Sequence, residues 1–243
     1  MLKTAHYLNR LFLFITVFGL AYFFSDLATW GFTLARLRTK EPLGPSKGLD
    51  PYLILKQKFT LQGQGGQSYV FLSEDGNYVL KFFKEMPRPW IPRISFPQYH
   101  KKKLKKLLRT ITGYHLAFER LPQETGLLTL HFSPTSSPLP TTLVDRLAIE
   151  HAVDLSSVCF VLQKRAAPID SFSEATLAKV SDLLKKRASV HIADHDPRLY
   201  DNLGWIDGQL VFIDPGRFVD DTNATPDLPK KFLNHLPRQL PLP

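Results

Sequence analysis

The sequence predicts an α+β protein: a mostly β portion carrying one helix, a smaller portion after it, and a hydrophobic helix in front. Three observations predict this. "LFLFITVFGLAYFF", residues 11–24, is uncharged and apolar on every side. Short β-patterned runs follow, two pairs of them turned at Asp75-Gly76 and Asp207-Gly208. Two later stretches, 99–121 and 171–189, carry apolar residues at helical spacing. A chain of 243 residues suits one domain, or one domain plus an anchor.

The apolar run follows Lys3 and Arg10. A spanning helix needs about 20 residues. Leu8 to Trp30 supplies them if Asn9, Arg10 and Asp26 sit in the interfacial zones, with the tyrosines and Trp30 as belts. No small-x-small cleavage site follows, so residues 1–38 read as an uncleaved anchor of a single-pass membrane protein. Lys and Arg flank the run on both sides, so charge does not set its orientation. "TKEPLGPSKGLDP", residues 39–51, mixes Pro, Gly and charge and reads as a linker to a domain over 52–220. A proline-rich tail occupies 221–243.

The net charge of +9 implies attraction to phospholipid, nucleotide or nucleic acid. An RNA-binding aromatic signature and zinc-finger spacing are both lacking, which disfavours nucleic acid. A single cysteine, Cys159, excludes an intramolecular disulfide framework and any multi-cysteine metal site.

In chain order, strands are expected at 58–62, 68–73 and 77–83. The proline-rich "EMPRPWIPRISFPQ" reads as a surface insertion. In the helix 99–121, Leu104, Leu107, Leu108, Ile111 and Phe118 fall within a stripe of about 80°. Lys101 to Lys103, Lys105, Lys106 and Arg109 decorate the rest, a face suited to anionic headgroups. Strands are expected at 127–132, 141–148 and 158–164, then a helix opened by a capping box, Ser171 with Glu174.

Five features carry chemistry. Gly63-Gln64-Gly65-Gly66-Gln67-Ser68-Tyr69-Val70 fits G-x-G-x-x-G-x-V with Ser68 for the third glycine. Glycines there let backbone amides approach phosphate oxygens. Lys81, in "YVLKFF", is placed on the next strand to reach phosphates. Glu119, at the edge of the helical stripe, is the candidate to pair with Lys81. In "HIADHDPRLYDN", Asp196 or Asp194 would position an acceptor hydroxyl and Asn202 would hold magnesium. Asp214-Pro215-Gly216, closing the strand "LVFID", is a D-x-G carboxylate for the same metal.

In this order the parts resemble the protein-kinase-like superfamily, including its small bacterial members, over roughly residues 55–219. The resemblance implies a mostly β N-lobe with one helix, a hinge near "FVLQKRA", a minimal C-lobe, and ATP with Mg2+ held between the lobes. Asp196 precedes Asn202 by six positions, one more than the family pattern. Only 27 residues follow Gly216, too few for the helices that bind protein substrates. The expectation is a membrane-anchored minimal kinase-like protein, its domain on the cytoplasmic side where ATP is, acting on a small or membrane-proximal acceptor. The alternatives are a catalytically inactive pseudokinase scaffold at the membrane, and an anchored α+β protein without a nucleotide site.

Overall fold

The computed structural model describes residues 2–37, 42–84, 97–171, 173–196 and 198–227. Most of the proline-rich insertion and of the tail lies outside these. The architecture is α+β, a curled eight-stranded sheet with helices and two small two-stranded sheets, one of them a hairpin.

Helix α1, Leu2–Ala28, opens the chain. Its Asn9–Ala28 stretch has a mean hydropathy of 1.9 with none of it buried, and it is long and apolar enough to cross a membrane. Among the described residues no other helix is.

The large sheet is built from β1 (Lys47–Gly48), β2 (Lys58–Gln64), β3 (Ser68–Ser73), β4 (Tyr78–Phe83), β5 (Leu127–His131), β6 (Pro140–Val144), β7 (Glu150–Asp154) and β8 (Phe160–Lys164). Its order is β1-β5-β8-β4-β3-β2-β6-β7, antiparallel throughout except for β2 beside β6. The run read as one strand at 141–148 ends at Val144 and turns into β7. Asp145 accepts amide hydrogen bonds from Leu147 and Ile149, and Ala148 takes a φ of 61°, so an aspartate-centred turn stands where alternation alone continued the strand. The short helix α2 (Tyr52–Leu55) precedes β2.

Strand alternation divides the core in two. Tyr69, Phe71, Leu80, Phe82, Phe160 and Leu162 face one side, with Phe32 and Leu37 from the segment after α1. Phe83, Leu130 and Val161 face the other, packed with Ile111, Tyr114 and Ala117 of helix α3 (Pro97–Arg120), with Leu121 just after it, and with helix α4 (Glu174–Ser189). The expected α3 stripe is displaced: Leu104 and Leu108 are about half exposed, because the packed stripe begins near Thr110 and runs to Leu121. Helix α4 is capped by Ser173, whose hydroxyl accepts from the Thr176 amide, rather than by the expected Ser171–Glu174 box. Strand β9 (Ile192–Asp194) pairs with β12 (Phe218–Asp220), and β10 (Leu203–Ile206) forms a hairpin with β11 (Gln209–Phe212).

The stretch read as a linker is tied to the sheet where it is described. Leu43 N–H donates to the Phe132 carbonyl, Lys47–Gly48 pairs with β5, and Leu49 N–H donates to the Leu128 carbonyl.

Candidate functional site

Alternation along β4 places Lys81. Leu80 and Phe82 enter the core shared with Phe32, so Lys81 takes the opposite face, level with Val70 on β3 and Val161 on β8. Lys81 is buried, and its ammonium donates to the carbonyl of Ile213, one residue before Asp214. Burial lowers its pKa, and the nearby Asp214 charge works in the opposite direction. Val70 is only half-buried on this face, a partly open apolar surface beside the lysine.

The β10–β11 hairpin joins two residues twelve positions apart. Leu203 lies opposite Phe212, and beyond that pair the Ile213 amide donates to the Asn202 carbonyl at 2.8 Å. Asn202 and Asp214 therefore leave the hairpin at its base together. Asn202 is 6% exposed, and its side-chain nitrogen has no hydrogen-bond partner among the described residues. An unmade hydrogen bond of this kind costs about 1–3 kcal/mol.

Asp214 is positioned from helix α3. Its Oδ1 accepts from the Tyr114 hydroxyl at 3.2 Å and from the Gly216 amide at 3.2 Å. Burial, and then Asp214, push the Tyr114 pKa well above its ordinary value, so it stays a protonated donor. The contact needs small residues on both sides. A Cβ at Gly113 would stand 2.4 Å from the Pro215 carbonyl oxygen, and one at Gly216 would stand 2.9 Å from Thr110 Cγ2.

The two loop aspartates occupy different environments. Asp194 Oδ2 lies 3.8 Å from Arg187 Nη1, with both side chains at most 6% exposed. Burial raises the Asp194 pKa against the opposing effects of the Asp196 amide and Arg187. Burial also acts to raise that of Asp196, but the Arg198 amide and guanidinium and the Arg217 charge outweigh it and bring the pKa down. Arg198 Nε lies 3.4 Å from Asp196 Oδ1 and Arg217 Nε lies 3.4 Å from its Oδ2. Asp196 is thus an ionised acceptor among cations, whereas Asp194 holds β9 to α4.

The glycine stretch spans the end of β2 and the loop to β3. The Gly65 amide donates to the Ser68 carbonyl at 2.8 Å, and Lys84 Nζ donates to Gln64 Oε1 at 2.7 Å and to the Gly65 carbonyl at 2.8 Å. The side chains of Gln67 and Thr110 on α3 bond at 3.2 Å. None of Gly63, Gly65 or Gly66 has a positive φ. A Cβ at Gly63 or Gly66 would meet nothing within 4 Å, and at Gly65 it would meet only Ser68 Oγ at 3.5 Å. Packing among the described residues does not demand glycine at these three positions.

Glu119 is not brought to Lys81. Its carboxylate pairs with Lys47 on the edge strand β1, and that pair lowers its pKa. The part of α3 that reaches the glycine loop and Asp214 carries Thr110 and Tyr114, and no acidic residue lies between Pro97 and Phe118. The carboxylate beside Lys81 is Asp214. Among the described residues, no group of three or more His, Cys, Asp or Glu side chains is placed to hold a metal ion. Asn202 and Asp214 offer one amide and one carboxylate, a set that suits Mg2+ where phosphate and water complete the shell.

Sequence reasoning missed Tyr114, Arg187 and Arg217. Tyr114 was accessible, since it lies three residues after Ile111 on the same helical face. Arg187 and Arg217 carry no local signal, because their aspartate partners come from other elements.

No protein-family model and no curated protein matches the chain. Among solved structures it is similar to WbdD, from a co-crystal structure of WbdD with the kinase inhibitor LY294002. The identity is 15%, the TM-score is 0.36, and the match covers 67% of this chain and 33% of that one. The chain spans about a third of the length of that neighbour.

Proposed function

We propose that the sheet domain, whose core reaches back to Phe32 and Leu37 and not only to residue 52, is a minimal protein-kinase-like domain that binds Mg-ATP, carried by a membrane anchor that ends at Ala28 rather than at residue 38, with the domain on the cytoplasmic side. The observation that carries this reading is the convergence of three dispersed residues: buried Lys81 on the Ile213 carbonyl, Asp214 next to it, and Asn202 at the same hairpin base. Lys81 and the backbone of the Gly63, Gly65, Gly66 and Ser68 loop would hold phosphates, the Gly65 amide only on leaving the Ser68 carbonyl, with Val70 beside the base. Asn202 and Asp214 would hold Mg2+, whose chemistry is to neutralise phosphate charge. Glycines that packing does not demand support a ligand approaching that backbone.

Of the two loop aspartates, Asp196 suits an acceptor hydroxyl, because it is held ionised by Arg198 and Arg217; Asp194 is committed to Arg187. The acceptor class proposed is a small or membrane-proximal alcohol. A second reading, a nucleotide-binding scaffold without turnover, is favoured by the placement of Glu119 on Lys47 and by the two arginines on Asp196.

Thermal unfolding of the intact protein in detergent, with ATP in Mg2+ or in EDTA, tests the nucleotide site. Ligand at 100 times its dissociation constant stabilises the folded state by about 2.7 kcal/mol. A rise in Tm that requires Mg2+ is expected. No rise at millimolar ATP would overturn the reading.

A further inference from the structure

The segment that leaves α1 does not hang free. At its start the backbone turns through left-handed conformations at Trp30 and Gly31, with φ of 53° and 66°. Phe32 and Leu37 are then buried against the sheet, and the Tyr69 hydroxyl donates to the Gly31 carbonyl at 2.6 Å. Arg36 donates to Tyr69 Oη at 3.0 Å and lies 3.4 Å from Asp26 on α1. One further element reaches the helix itself. Arg146, in the β6–β7 turn, donates to the Leu27 carbonyl at 3.1 Å, and its guanidinium stacks on the Trp30 ring at 4.4 Å.

That turn is rigid. Asp145 accepts from the Leu147 amide at 2.8 Å and the Ile149 amide at 3.0 Å, and its other oxygen meets His151 Nε2 at 3.0 Å. Held this way, Leu147 and Ile149 are 53% and 51% exposed. Two exposed aliphatic side chains closely follow an arginine that bonds the last turn of an apolar helix. Arginine and tryptophan at such a place are characteristic of the bilayer interface, where amphipathic groups settle.

We infer that the β6–β7 turn is a second membrane contact, with Leu147 and Ile149 seated in the bilayer interface beside the end of α1. The inference rests on the reading of α1 as a span. The occupant follows from continuity: if Asp26 marks the interfacial zone at this end of the span, a turn bonded to Leu27 lies within the same layer. Two attachments, one spanning and one shallow, fix the domain's tilt. They also set which end faces the lipid. Gln64 lies opposite Tyr69, whose hydroxyl holds Gly31, so the glycine loop is at the membrane end of the strands. The β3–β4 turn and Asp207, near Lys164, are at the other end. An acceptor reached from the glycine-loop end is a membrane-proximal one.

The test uses the full chain with Cys159→Ala, reconstituted in phosphatidylcholine vesicles, and an environment-sensitive fluorophore on one introduced cysteine at a time. Leu147→Cys, Ile149→Cys, Phe18→Cys and Asp207→Cys are compared with and without lipid bearing a nitroxide near the headgroup. The expected result is loss of emission at positions 147 and 149, with a blue-shifted maximum, and none at 207. Emission unchanged at 147 and 149 while the label at 18 is shielded from aqueous quencher overturns the inference and leaves the span standing. A label at 18 that aqueous quencher reaches freely overturns both.

Discussion

Tyr114 on α3 and Asp214 after β11, one hundred residues apart, are joined by a hydrogen bond of 3.2 Å that aims the carboxylate toward the neighbourhood of Lys81. The helix thus orients the residue proposed to bind metal, a task usually sought in the strand that carries it. Tyr114→Phe keeps the ring buried against Phe83 and removes only the donor. A bond to a charged group contributes about 1.5–3 kcal/mol, so chemical denaturation should show a loss of that order. Unchanged stability would mean that the bond does not hold Asp214.

Glu119→Gln separates the two readings of the site. The Lys47–Glu119 pair is substantially exposed, and such pairs contribute about 0–1 kcal/mol. The substitution should therefore change stability little and leave nucleotide affinity unchanged. An affinity loss of about tenfold, roughly 1.4 kcal/mol, would show that Glu119 moves to Lys81 when nucleotide binds.

The placement of several proposed site residues is legible along the chain, for reasons that are local. The face that Lys81 takes follows from strand alternation, a property of neighbours, and the nearness of Asn202 to Asp214 follows from a hairpin turned at Asp207-Gly208 that brings its two ends together. Glu119 was misplaced because its angle on a helical wheel fixes a face and not a crossing point. The helix meets β4 where Tyr114 packs on Phe83, and Glu119 sits further along, paired with Lys47 of the edge strand. The turn at Asp145 was hidden since it contains no Gly, Pro or Asn, and its signal lay in one aspartate side chain. The role of residues 29–37 could not be read, because Phe32 and Leu37 pack on strands far away in sequence.

That packing predicts where the domain starts. A fragment beginning at residue 38 lacks Phe32 and Leu37, which are 4% and 3% exposed, whereas one beginning at 29 keeps them. Truncating a buried Phe or Leu costs about 2–5 kcal/mol, and small domains have only about 5–15 kcal/mol in total. The 29–243 fragment should unfold cooperatively, and the 38–243 fragment should be destabilised by about 5 kcal/mol or fail to fold. Equal midpoints would show that the exit segment is not part of the core.

Two histidines give the fold a pH dependence. His131 stacks on Phe160, and its Nδ1 donates to the Val158 carbonyl at 2.8 Å, leaving a buried Nε2 with no partner among the described residues. Burial lowers its pKa, as it does that of His115. Each folded value lies below the unfolded one of about 6.5, so the unfolded state binds more protons as pH falls below that point. Their stability contribution is complete above about pH 6.5 and is lost as pH drops through the folded values. The denaturation midpoint should fall from pH 7.5 to 5.5, and His131→Asn should flatten that fall. An equally steep fall in the variant would assign the effect elsewhere.

The most direct test of the central claim is calorimetric titration of Mg-ATP into the intact protein and into Lys81→Met and Asp214→Asn. Binding to the parent that requires Mg2+, at least about tenfold weaker in Lys81→Met and indifferent to Mg2+ in Asp214→Asn, is the predicted result. Absence of binding to the parent, or equal Mg2+-dependent binding in all three, would contradict the assignment of Lys81, Asn202 and Asp214 to a nucleotide site.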